Sequence, residues 1–229
     1  MYYNEKSIFS RMIFSTIADW LFPKECIACQ HEGSFLCKKC ASEINPSSRN
    51  TYKTPYLDRV HVLFSWEDKL VQKIIKKIKF YYAKGLIEDM DSLLKKALEK
   101  VEISNAILVP VPLHSRRLKS RGFNQSELLA QKIGQILDLQ VQDVLIRIRN
   151  TAPQAKLKAA DRTQNMQNAF CVKEKFIKVN QKFVIIDDVT STNSTINECA
   201  KCLRKAGFEK IEAICLAKGD IHNRQKKPA

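Results

Sequence analysis

The chain has 229 residues, enough for one full-sized domain with a small appendage and too few for two large ones. Its 45% hydrophobic and 28% charged residues exclude collagen-like, mucin-like and wholly disordered readings. Lys and Arg outnumber Asp and Glu by 39 to 24, and the net charge of +15 biases the chain toward polyanions: nucleic acid, an anionic membrane surface or a multiply phosphorylated small molecule. A merely well-solvated basic surface is the competing reading. Gly33, Gly85, Gly122, Gly134, Gly207 and Gly219 are too scattered for a dinucleotide fingerprint or a Walker-type phosphate loop, so any phosphate site must use other chemistry.

In chain order, residues 1–22 read as an amphipathic helix with Ile8, Met12, Ile13, Ile17 and Leu21 near one face. Acidic and polar residues interrupt this segment where a secretory signal needs an apolar stretch, and no apolar run reaches the roughly 18 residues of a membrane span. The expectation is a cytoplasmic protein without a transmembrane segment. Next comes CIACQHEGSFLCKKC, in which Cys26, Cys29, Cys37 and Cys40 form two C-x-x-C turns able to converge on one Zn²⁺, with Gly33 at the reversal. Two disulfides are the alternative, disfavoured by the missing export signal. His31 reads as a loop residue, since four thiolates complete the set.

The proline-bearing, polar stretch 44–56 reads as a linker. Beyond it, 61–66 reads as a strand, 69–80 as a helix, 86–100 as another helix and 106–111 as a second strand. Arg116, Arg117, Lys119 and Arg121 follow without an acid, in a position suited to a mobile flap, and guanidinium groups there could grip diphosphate or nucleic-acid phosphates. The lysines of the helix at 69–80, Lys79 among them, and Lys84 just after it read as a solvated face. Asn124 caps a helix with Glu127 three residues on. FVIID at 183–187 reads as a strand buried on both faces, followed by a helix at 194–206 and a strand at 211–217. Cys199 and Cys202 fall on the apolar face of that helix, with Gly207 as its left-handed cap. Alternating strands and helices predict an α/β fold with a mainly parallel sheet. The expected organisation is a helix and zinc knuckle over 1–45, one α/β domain over 57–219 and a basic tail over 220–229.

Ligands of open parallel sheets bind beyond the carboxyl ends of strands. Here Asp187 and Asp188 are followed by Thr190, Ser191, Thr192, Asn193, Ser194 and Thr195. The acids suit sugar hydroxyls or a hydrated Mg²⁺, and the hydroxyl-rich turn suits a phosphate at a helix start. A capped helix with a Ser/Thr turn is the plainer reading and accounts for only part of the group.

IIDDVTSTNST resembles the phosphoribosyl diphosphate signature of type I phosphoribosyltransferases. With VPVPLHSRRLKSRGFNQSELLAQKI and the cysteine knuckle upstream, the chain from about Leu21 to Lys218 resembles the ComF family of competence-associated, phosphoribosyltransferase-like proteins. Arg147, Arg149, Gln154, Arg162, Asn165, Asn168, Ala169 and Phe170 extend the likeness. The resemblance implies a type I phosphoribosyltransferase-like fold, a structural Zn²⁺ and a site for 5-phosphoribosyl 1-diphosphate with Mg²⁺. Asp187, Asp188 and Arg121 would then be catalytic, Ser191 to Thr195 would hold the phosphoribosyl group, and Arg116, Arg117 and Arg121 the diphosphate. It also implies a link to DNA uptake, with single-stranded DNA and competence or helicase proteins as partners. The alternative is a non-catalytic DNA-binding module using the fold as a ligand sensor. Two departures stand out: Asn193 replaces the usual glycine of the phosphate loop, which asparagine's tolerance of positive φ can accommodate, and Gly85 is displaced along the chain after Lys79 and Phe80.

Overall fold

The computed structural model describes residues 23–47, 51–80, 83–152, 159–173 and 181–219. The expected helix over 1–22, Gln154 and the basic tail over 220–229 lie outside them. The described elements run α1 (Lys38–Glu43), β1 (Thr51–Tyr52), β2 (Arg59–Phe64), α2 (Lys69–Lys77), α3 (Ala83–Asp89), α4 (Asp91–Leu98), β3 (Ala106–Pro110), α5 (Ser115–Arg121), α6 (Gln125–Leu137), β4 (Gln140–Val141), β5 (Leu145–Arg147), α7 (Ala159–Met166), β6 (Phe170–Val172), β7 (Lys182–Thr190), α8 (Ser194–Lys205) and β8 (Ile211–Lys218).

Six strands form one sheet in the order β1-β2-β8-β7-β3-β4, parallel from β2 to β4, with β1 antiparallel at the edge. β5 and β6 make a separate antiparallel pair. Strand residues alternate between two apolar layers. Val184, Ile186, Leu108 and Ile214 face α2, α3, α4 and α6, while Phe183, Ile185, Val109 and Ala213 face α8 and the β5–β6 pair. The mainly parallel α/β sheet expected from the alternation of elements is what forms.

The four-cysteine ribbon packs into the first layer, where Cys26, Leu36, Cys40 and Ile44 join the core of α2, α3 and α4. Two details bind it there. Asp89 accepts hydrogen bonds from the backbone N–H of Phe35 at 2.6 Å and of Leu36 at 3.2 Å. A Cβ on Gly85 would lie 2.6 Å from the Phe35 ring, so the glycine is the notch that receives that ring. The same junction breaks the helix expected over 86–100: Met90 leaves helical geometry at ψ 2° between α3 and α4. Asp89 is thereby directed to the ribbon, and Asp91 to Lys95 and Lys132. The stretch 44–56 is ordered at both ends, with Ile44 buried and Thr51–Tyr52 paired to β2.

Candidate functional site

Asp187 and Asp188 lie inside β7, whose ladder with β8 continues to Thr190, and both are more than nine-tenths buried. Asp187 Oδ1 accepts hydrogen bonds from the Ser126 hydroxyl and from the Asp188 N–H, each at 3.0 Å. Ser126 is placed by the cap of α6. The Asn124 side chain accepts from the Ser126 N–H and donates to the Val111 carbonyl, tying the helix start to the end of β3. Burial, and after it the neighbouring Asp188 charge, pushes the Asp187 carboxyl up to about 8, against the hydrogen bonds from Asp188 N–H and Ser126 and the attraction of Lys79. The shift favours a proton on Asp187. A protonated carboxyl can donate to one hydroxyl of a vicinal diol and accept from another.

Lys79, expected on a solvated face, instead brings Nζ to 2.8 Å from Asp188 Oδ2. The contact is an ion pair, and among the described residues the buried Oδ2 has no further hydrogen-bond partner. Lys69, Lys73, Lys76 and Lys84 are exposed as expected.

After Thr190 the chain turns through Ser191, Thr192 and Asn193 into α8. Asn193 adopts φ 59°, ψ 6°, the left-handed conformation that asparagine tolerates better than other side chains, as its identity led one to expect. Its Oδ1 accepts from Thr190 Oγ1 at 2.9 Å and from the Tyr52 hydroxyl at 2.7 Å, so the side chain is held by the protein. Arg162 of α7 donates to the Ser191 hydroxyl at 2.7 Å, and the hydroxyls of Thr163 and Thr192 meet that of Ser194. The first-turn N–H groups of α8 lack intrahelical acceptors by geometry, which favours an anion there.

The arginine segment, read from the sequence as suited to a mobile flap, forms a short helix, α5. The His114 side chain caps its start, and Gly122 closes its end at φ 84°. Arg116 is exposed. Arg117 donates to the Thr151 carbonyl at 2.6 Å, and Arg121 donates to the Gln125 side chain. Buried Arg147 donates to the Thr151 hydroxyl and approaches Met166 Sδ at 3.6 Å, and its Nε has no partner. Burial, then the charge of its arginine neighbour, lowers the pKa of both Arg117 and Arg147. Among the described residues, Arg117, Arg121 and Arg147 form no ion pair with a carboxylate. Like charges gathered without a counterion favour an anion nearby.

In the ribbon, the four sulfurs of Cys26, Cys29, Cys37 and Cys40 lie within 4.8 Å of one another, with Cys29 and Cys37 Sγ 3.7 Å apart. A tetrahedron of Zn–S bonds of about 2.3 Å has S–S edges of roughly 3.8 Å, so the donor set fits a structural metal ion. Burial opposes ionisation of Cys26, but N–H groups of Cys37, Cys29 and Ala28 and the Cys29 side chain outweigh it and bring the thiol down to about 6. Burial and then the neighbouring thiols push Cys40 up. His31 is an exposed loop residue bonded to its neighbour's carbonyl, as expected. Gly33 makes the reversal at φ 107°. Cys199 is buried in α8 and Cys202 half-buried, in keeping with an apolar face.

The family model described as phosphoribosyl transferase domain matches residues 81–228, which include both the acid pair and the arginine helix. The chain belongs to the phosphoribosyl transferase domain family. Its ribbon is not part of the matched segment. Competence protein F of Haemophilus influenzae is 30% identical over 208 residues, covering 84% of this chain and 90% of that protein. DNA utilization protein YhgH of Salmonella typhimurium is 29% identical over 212 residues, covering 88% and 92%. Competence protein ComFC of Bacillus subtilis is 29% identical over 146 residues, covering 63% and 58%. The resemblance to the competence-associated family thus holds over most of this phosphoribosyltransferase-domain chain. Among its described residues, no helix is long and apolar enough to cross a membrane.

Sequence reasoning placed the acids, the hydroxyl loop and the cysteines. It missed the roles of Ser126, Lys79 and Tyr52. The two hydroxyl residues looked like members of ordinary polar stretches, and the lysine like one of many on a basic helix.

Proposed function

We propose that the chain binds 5-phosphoribosyl 1-diphosphate and transfers its phosphoribosyl group to a nucleophilic acceptor. The observation that carries this reading is the buried pair Asp187–Asp188 leading through the left-handed turn at Asn193 into the N-terminus of α8. Asp187 and Asp188 would take the ribose hydroxyls, and Ser191, Thr192, Asn193, Ser194 and Thr195 the 5-phosphate. Arg116, Arg117 and Arg121 would take the diphosphate, with Arg117 and Arg121 already lacking carboxylate partners among the described residues. As diphosphate departs, positive charge grows at the anomeric carbon. The Asp188 carboxylate then opposes that charge while the arginines stabilise the leaving anion, so fixed charges suffice without a general base. Mg²⁺ carried by the diphosphate would screen its negative charge, and Asp188 Oδ2, beside the Lys79 ammonium, would be the oxygen to receive it or its bound water.

Isothermal titration tests the reading. Wild-type protein should bind phosphoribosyl diphosphate, and the Asp187→Asn/Asp188→Asn pair should lose about fiftyfold or more in affinity, from one charge-assisted contact at about 1.5 kcal/mol and one neutral contact at about 1 kcal/mol. Equal affinity in the two proteins would overturn it. The metal in the ribbon is proposed to be Zn²⁺: elemental analysis should find one ion per chain, lost in Cys37→Ser.

A second reading, single-stranded DNA binding, draws on the names of the relatives and on the surface. Arg116 and Lys119 are exposed on α5, Lys73 and Lys76 on α2, and Phe80 is 58% exposed, large for an aromatic without a binding role. Reversing the charges of Arg116, Arg117 and Arg121 should flatten the salt dependence of DNA affinity, and an unchanged slope would assign these arginines to the small-molecule site alone.

A further inference from the structure

We infer that Tyr52 is a positioning residue for the loop at Ser191–Asn193: its hydroxyl holds Asn193 in the left-handed conformation that starts α8. The inference rests on the reading of this loop as the 5-phosphate site.

An L-residue in the left-handed region is strained by its Cβ, and a glycine would adopt the same conformation at no steric cost. Asn193 sits there at φ 59° with no bond from its side chain to the N–H groups of its own helix. Its Oδ1 is taken up instead by two hydroxyls. Thr190 is local, three residues back; Tyr52 is 141 residues away in sequence, on the edge strand β1. The Tyr52 ring is fixed independently of that bond. It packs against the second apolar layer, β1 pairs it with Val60, and Lys218 Nζ stands 4.0 Å from its centroid. Burial pushes its phenol pKa up, so the hydroxyl keeps its proton and remains a donor.

A second tie makes this a register match. Thr54 Oγ1 donates to Asn197 Oδ1 at 2.6 Å. Two residues of extended chain advance about 6.6 Å and four residues of helix about 6.0 Å, so Tyr52 and Thr54 on one side meet Asn193 and Asn197 on the other in step. The segment between ribbon and sheet is therefore clamped along the first turn of α8, and the clamp closes on the residue that gives the loop its shape. Thr54 grips the helix, while Tyr52 grips the turn itself.

The test is a double-mutant cycle with Tyr52→Phe, Asn193→Gly and the combination. Phenylalanine keeps the ring beneath Lys218 and deletes only the donor. Ribose 5-phosphate affinity should fall about three- to tenfold on Tyr52→Phe in the wild-type background and by less than about 1.5-fold in the Asn193→Gly background, because glycine holds the conformation without a tether. Pyrophosphate affinity, which reads the arginine side, should be the same in wild type and Tyr52→Phe. Equal losses of ribose 5-phosphate affinity in both backgrounds, or a matching loss for pyrophosphate, would overturn the assignment. Thermal unfolding of the same four proteins supplies a ligand-free reading. Tyr52→Phe should lower the midpoint in the wild-type background and barely move it in the Asn193→Gly background. Should ribose 5-phosphate bind none of them, the phosphate-site reading fails and the positioning role fails with it. The unfolding cycle would still decide whether the tether holds Asn193, with an equal drop in both backgrounds counting against it.

Discussion

The two ends of the parallel sheet each bury a cluster of titratable side chains, and the clusters are built in opposite ways. At the amino ends, Glu212 of β8 accepts from His61 Nε2 of β2 at 3.0 Å and lies 3.1 Å from Lys182 Nζ of β7. Burial alone would raise the Glu212 carboxyl, but the hydrogen bonds from His61 and Lys182 outweigh it and hold the pKa below the usual range. At the carboxyl ends, Asp187 has an acid for a neighbour, and burial drives its carboxyl up to about 8. A buried acid with two cationic or donor partners is a structural fastener. A buried acid beside another acid is held away from its preferred state, and a ligand can relieve it. The end whose acids face each other is the end proposed to bind ligand.

The contrast can be broken by mutation, with the largest effect at the fastener. Glu212→Gln should destabilise the fold by about 2 kcal/mol near pH 7, since it leaves Lys182 and His61 beside a neutral side chain in a buried place, and ligand affinity should stay unchanged. Because the folded-state pKa of Glu212 is depressed, its contribution exists above the unfolded carboxylate value near 4.5 and is lost as pH falls. Wild-type urea midpoints should therefore drop on acidification more steeply than those of Glu212→Gln.

Asp187 has the opposite sign. Its folded-state pKa is raised, so the unfolded chain releases the proton first and stability is lost as pH rises from about 4 toward 8. Asp187→Asn should give a melting temperature above wild type at pH 8.5, by a few degrees, and a smaller gain at pH 5. A gain of the same size at both values would mean that the aspartate is not held protonated. Smallest of the three, Lys79→Met should change stability by less than about 1 kcal/mol, because its side chain is one-third exposed, while extending the alkaline loss to higher pH by removing a charge that favours ionised Asp187.

Much of this frame was legible in the sequence where a signal was local. The apolar run before Asp187, the capping asparagine at 124 and the two C-x-x-C turns each specify their structure within a few residues, and each forms. The left-handed turn at Asn193 was legible too, because conformational tolerance belongs to the residue. What the sequence hid depends on contacts between distant segments. The break at Met90 exists because Asp89 caps the ribbon, 53 and 54 residues earlier. β5, β6 and α7 are short; β6 and α7 pack on α8, and β5 pairs with β6. Lys79 looks like every other lysine of its helix until the fold brings it to Asp188, and Tyr52 sits in a stretch that reads as linker. The partners of a site come from topology even when its acids and turn come from sequence.

The central claim is that one site has two halves, an acid and phosphate half at the end of β7 and an arginine half at α5. Competition titration of ribose 5-phosphate against phosphoribosyl diphosphate, on wild type, Asp188→Asn and Arg121→Ala, tests it most directly. The two ligands should compete, Asp188→Asn should weaken both, and Arg121→Ala should weaken only the diphosphate ligand, about tenfold or more for one charge-assisted contact. Equal weakening of both ligands by Arg121→Ala, or binding of the two without competition, would contradict it.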